Sequence, residues 1–91
     1  MEKDAMIDQS LVLRQKSGIE YITLDDGSVV KIHDTIHVLN HTASQIFELC
    51  AGRRSIGEIV REMESRYPED AVSVTVYEFI GILSDSGLVH E

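Results

Sequence analysis

The chain has 91 residues, 43% hydrophobic and 26% charged, with sixteen Asp and Glu against eight Lys and Arg for a net charge of −8. A chain this short buries only about 60–65% of its extended surface on folding, so it has no room for a second catalytic domain, and its ordinary composition excludes wholesale disorder. The acidic balance has the wrong sign for a protein that gains affinity by neutralising phosphates, and no apolar run approaches the ~20 residues of a membrane span.

The first residues, MEKDAMIDQ, mix charges and lack a basic segment followed by an apolar one. They do not resemble a signal peptide, and residues 1–10 are expected to be a flexible lead-in to one domain spanning 1–91. The single cysteine, Cys50, has no partner for an internal bridge, which fits a reducing cytoplasm.

Two β-rich runs, Ile19 to Leu24 and Val29 to His33, flank Asp25-Asp26-Gly27-Ser28. Asp-Gly at the centre of a tight connection supplies the positive φ angles of a type I′ turn, so a hairpin is expected with Leu24 facing Val29 and Ile22 facing Lys31. A second turn at Asp34-Thr35 returns the chain into Ile36 to Leu39, a third antiparallel strand, and Leu11 to Gln15 can add a fourth. Both faces of the hairpin carry apolar residues, whereas a sheet with one wet face alternates cleanly. Either the Leu11 to Gln15 segment or another protein chain is expected to cover the second face, and a homodimer would supply such a chain.

From Thr42 the apolar period becomes helical. Thr42 to Gln45 and Ser55 to Glu58 both have the form of a capping box, and they predict one helix ending at Gly52 and another from Ser55 to Arg66. Arg53 and Arg54 then fall in the turn between helices. Val72 to Tyr77 is β-branched, yet Val72, Val76, Phe79, Ile80 and Leu83 follow the spacing of an amphipathic helix, so a third helix ending before Gly87 is expected. Leu88-Val89 is left to close the core. The fold class is α+β: an antiparallel meander of three to four strands followed by three helices, like a winged helix-turn-helix.

Catalytic chemistry finds little support. His33, His37 and His41 are four apart but straddle a turn and a capping segment, so their spacing does not gather the imidazoles around a metal. Cys50 falls at a helix C-terminus, where the dipole opposes a thiolate, and is expected to be a small buried hydrophobe. No phosphate-binding glycine loop or hydrolase motif occurs. The expectation is no enzyme, no metal and no cofactor. A winged-helix transcription factor is the rival, but the helix that would enter a DNA groove contains no Lys or Arg and carries Glu78 and Asp85.

The run Leu39 to Val60, LNHTASQIFELCAGRRSIGEIV, and the closing FIGILSDSGLV from Phe79 to Val89 resemble the PqqD-like family. That family's pattern has Leu-Asn, Thr-Ala, an Ile-aromatic pair, Leu-Cys-Asp-Gly, and a Ser or Thr leading into Glu-Ile-Val. Ala51 stands where Asp is usual. The resemblance implies a RiPP recognition element, a non-catalytic chaperone that binds the leader of a ribosomally made precursor peptide. It implies delivery to a maturation enzyme, a radical SAM enzyme in pyrroloquinoline quinone biosynthesis or a leader protease in lasso-peptide systems. It further implies strand addition at the edge of the third strand, in a groove against the third helix.

The residues lead to a compatible place, because an exposed edge strand offers unpaired N–H and C=O groups to another chain. Ile36, His37, Val38 and Leu39 are the candidate strand contacts, although Leu39 also suits the core. On the third helix Tyr77 projects to one flank and Thr75 and Ile82 to the other, with Val74, Glu78 and Gly81 nearer the outside. Val74 and Ile82 are apolar away from the core stripe, as a covered surface requires. Neither nucleic acid nor membrane is expected as a partner.

Overall fold

The computed structural model describes residues 8–91. The elements run β1 Val12–Gln15, β2 Glu20–Leu24, β3 Gly27–Ile32, β4 Thr35–Asn40, α1 His41–Leu49, β5 Ala51–Ser55, α2 Ile56–Arg66, α3 Val72–Asp85 and β6 Val89–His90. Two antiparallel three-stranded sheets, ordered β2-β3-β4 and β5-β1-β6, pack with the three helices into an α+β fold. Residues 1–7 of the expected lead-in lie outside the described residues. Beyond them Gln9 is tied down: its carbonyl accepts from the Gly57 amide at 2.9 Å and its side chain donates to the Tyr77 hydroxyl at 2.6 Å.

The first hairpin forms, but in another register. Leu24 pairs with Gly27, Ile22 with Val29 and Tyr21 with Val30, so the connection is Asp25-Asp26 and not Asp26-Gly27. Neither aspartate has positive φ, and the type I′ expectation fails. The slip is two residues, which changes every partner yet leaves each side chain on its expected face. Gly27 is required for a different reason: a Cβ there would run into the Leu39 carbonyl oxygen of β4. The second turn also moves by one residue, to His33-Asp34, with His33 at φ 54°.

The segment expected to cover the hairpin does something else. β1 sits in the other sheet between β5 and β6, where Leu13 is buried, and does not cover the open face of β2-β3-β4. Strand β5 itself was not anticipated. Arg53 and Arg54 lie on it and not in a helix-helix turn, because Gly52 at φ 78° turns the chain back from α1 to run beside β1. The short β5 forms one edge of its sheet, where exposed cations are tolerated.

Helix α1 starts one residue before the expected capping box. The Asn40 Oδ1 accepts from the Ala43 amide at 2.8 Å, so Asn40, the last residue of β4, is also the helix cap. Helix α2 starts as expected: the Ser55 amide donates to Glu58 Oε1 at 2.8 Å and the Glu58 amide to Ser55 Oγ at 3.2 Å. These bonds from Ser55, backbone first, hold the Glu58 carboxyl below the usual range. Helix α3 forms despite its β-branched start, since Val72, Val76, Ile80 and Leu83 can all be buried only at helical spacing. At its end Gly87, at φ 77°, lets the Leu88 amide reach back to the Leu83 carbonyl, and the buried Leu88 and Val89 close the core.

That core lies between the inner face of β2-β3-β4 and the helices, with Phe47, Ile46, Ile59, Met63, Val76 and Val30 fully buried. Each contributes roughly 1.5–3 kcal/mol of transfer free energy. Tyr21 stacks at 5.5 Å from Phe47 and donates to Glu48 Oε2 at 2.5 Å, fastening β2 to α1. A buried hydroxyl pair, Ser28 with Ser44 at 2.7 Å, fastens β3 to the same helix. Among the described residues no helix is long and apolar enough to cross a membrane.

Candidate functional site

Among the described residues β4 is an edge strand, bonded to β3 on one side alone. The two-residue connection makes Ile32 and Thr35 a hydrogen-bonded pair, and pairs then alternate along the ladder. His37 and Leu39 therefore exchange bonds with Val30 and Ser28, while Ile36 and Val38 turn their N–H and C=O groups outward. Side chains alternate as well: Leu39 is buried and His37 half-buried toward the core, whereas Ile36 and Val38 stand on the open face at 62% and 74% exposure.

A cleft of about 780 Å³ opens where the end of β4 approaches α3. Val38, Leu39 and Asn40 form one wall, Phe79, Ile82 and Leu83 the other, Ala43 of α1 the floor, and the hairpin tip from Thr23 to Ser28 the rim. Asp25 and Asp26 place carboxylates at that rim beside otherwise apolar walls. Backbone donors and acceptors next to an apolar trough suit an extended peptide, whose main chain pairs with the strand while alternate side chains fill the trough.

The residues singled out from sequence divide among four places. Val38, Leu39 and Ile82 meet in the cleft. Ile36 and His37 lie further along β4 toward the His33-Asp34 turn. Tyr77 and Gly81 occupy the opposite flank of α3, Tyr77 bonded to Gln9 and Gly81 lining a separate recess of about 480 Å³ with Leu11, Leu13 and Val89. Val74 and Glu78 are exposed on the outer side of α3. The flank turned toward β4 is thus that of Phe79 and Ile82, with Thr75 continuing it to a small recess beside Thr42 and Tyr67.

Sequence reasoning missed Phe79, Leu83, Asn40, Ala43 and the hairpin tip as cleft residues. Phe79 and Leu83 carry the core spacing, and a core residue at the margin of the stripe gives no separate signal when one edge of it faces a cleft. Phe79 is only partly buried, which periodicity alone does not reveal.

Cys50 is fully buried, and burial pushes its thiol up to about 12, so it holds no thiolate near neutrality. His33, His37 and His41 lie on a turn, a strand and a helix start, and among the described residues no three His, Cys, Asp or Glu converge on a common point.

The PqqA binding protein of Methylococcus capsulatus (strain Bath) is 24% identical, with all of this chain and 94% of that protein aligned. No solved structure matches the chain. The model of the family described as coenzyme PQQ synthesis protein D (PqqD) matches residues 18–89, from the approach to β2 through β6, and the chain belongs to that family.

Proposed function

We propose that the protein is a non-catalytic peptide chaperone. It binds the leader of a ribosomally made precursor peptide as an added strand on β4 and presents it in the cytoplasm to a maturation enzyme, the radical SAM enzyme of pyrroloquinoline quinone biosynthesis. The observation that carries this reading is the free edge of β4, with the N–H and C=O groups of Ile36 and Val38 directed outward beside the cleft walled by Ile82 and Phe79. Family membership and the relative described as a PqqA binding protein support a peptide partner. No observation favours the DNA-binding alternative, since the exposed side of α3 carries Glu78 and Asp85 and no cation.

An amide NMR titration of labelled protein with the precursor leader tests the reading. Shifts are expected in Thr35–Asn40 and along Phe79, Ile82 and Leu83, and a leader that moves neither set at high micromolar concentration refutes it. Val38→Pro sharpens the test. Its N–H faces away from β3, so proline removes a donor to the leader while sparing the β3–β4 ladder, as edge strands tolerate. Leader affinity is expected to fall by about tenfold or more, with Val38→Ala much less affected. Calorimetric titration of both variants reads the difference.

A further inference from the structure

Among the described residues nothing covers the open face of β2-β3-β4. By strand alternation and register, Ile22, Leu24, Val29, Ile36 and Val38 share it, with Ile22, Val29 and Val38 forming one continuous row across the three strands. Leu24 and Ile22 are 49% and 58% exposed, so this is a contiguous apolar surface and not a scatter of single residues. An antiparallel sheet with one face in water ordinarily carries polar residues there.

The charges around this face identify what fits it. Glu20, Asp25, Asp26 and Asp34 lie on its strands and turns, and Lys31 is the one Lys or Arg between residues 19 and 40. A second copy would bring acidic rim against acidic rim, with −8 on each chain. A surface with an apolar centre and a Lys/Arg rim is complementary in both respects. The face is also continuous with the leader edge, since Val38 directs its backbone to one and its side chain to the other.

We propose that this face is a second docking surface, for a basic-rimmed apolar patch on the enzyme that receives the leader. The proposal rests on the leader reading above. A strand added to β4 directs every second side chain onto the same face, so the loaded protein presents a wider surface than the empty one. The enzyme therefore binds the loaded protein more tightly, and by linkage raises its leader affinity by the same factor.

The test uses the full chain and the radical SAM enzyme encoded with the precursor. Enzyme affinity is measured by titration calorimetry with and without leader for the wild type, Ile22→Asp and Lys31→Glu. Ile22 is exposed on β2 and outside the cleft, so leader affinity measured alone stays within about twofold, while enzyme affinity is expected to fall at least tenfold. Lys31→Glu, which makes the rim more acidic, is expected to strengthen enzyme binding by about twofold to threefold. An unchanged affinity for Ile22→Asp, a weakened one for Lys31→Glu, or no association of the wild type overturns the proposal. So does a wild-type dimer in sedimentation that Ile22→Asp dissociates, which would assign the face to a second copy. A wild type that binds no leader refutes the chaperone reading separately, and the titration without leader still reports on the face.

Discussion

Gly27 illustrates how a residue can be recognised for the wrong reason. Asp-Gly after a β-rich run points to a turn, and a turn does form next to it, but Gly27 itself is the first residue of β3 with negative φ. Its need is spatial, because the Leu39 carbonyl occupies the place of a Cβ. No local pattern encodes an approach between residues twelve apart on neighbouring strands. Gly27→Ala is expected to push β4 away and cost about 2–3 kcal/mol, lowering Tm by roughly 10–20 °C. A thermal melt followed by circular dichroism measures this. Cys50, by contrast, was correctly expected as a buried hydrophobe, since its place at the end of an amphipathic stripe determines its environment. Its thiol stays protonated in the fold up to about 12 and titrates from about 9.0 once unfolded. Above pH 9 the unfolded state therefore holds fewer protons than the folded one, and stability falls with rising pH by up to about 1.4 kcal/mol per unit. Tyr21, raised by burial and by its bond to Glu48, adds in the same direction above 10.0. Urea midpoints at about pH 8, 9.5 and 10.5 are expected to decline, less steeply in Cys50→Ala than in the wild type.

Elements with strong periodicity or a complete cap were readable. Helices α2 and α3 and the three strands of the meander fall close to their expected limits, and the Ser55–Glu58 box forms in full. Ser55→Ala is expected to cost about 1 kcal/mol, seen as a lower urea midpoint with an unchanged slope. Elements held by distant pairing were not readable. β5 and β6 are short and join only through β1, so nothing in their own residues distinguishes them from loop. The start of α1 was misplaced because Thr42 to Gln45 satisfies the pattern of a box, while Asn40 reaches the Ala43 amide first. The β4 edge could be anticipated from its position as the last strand of the meander. The flank of α3 that meets it could not, because helical projection orders residues around an axis but does not say where a neighbouring sheet lies.

The whole molecule separates its charges. Arg14, Lys16, Arg53 and Arg54 lie on or beside β1 and β5, while the meander is acidic apart from Lys31. Composition supplied the net charge but not this division, which depends on the fold bringing residue 14 beside residues 51 to 55. A basic partner approaching the meander is steered by the acidic end, so its association rate is expected to fall severalfold between roughly 0.05 and 0.5 M salt. The dissociation rate, set by the apolar centre, changes little, and stopped-flow measurement across a salt series separates the two.

The pairing of β1 with β6, Arg14 opposite His90 and Gln15 opposite Val89, brings the first and last strands side by side in the sheet that does not contain β4. The start of β1 and the end of β6 therefore lie in one region away from the edge of β4, and a circular permutant cut in a surface turn would keep every strand pair. Fused through a linker to the enzyme proposed to receive the leader, the module would meet it at an effective concentration on the order of millimolar. A contact too weak to hold two free proteins together would then suffice.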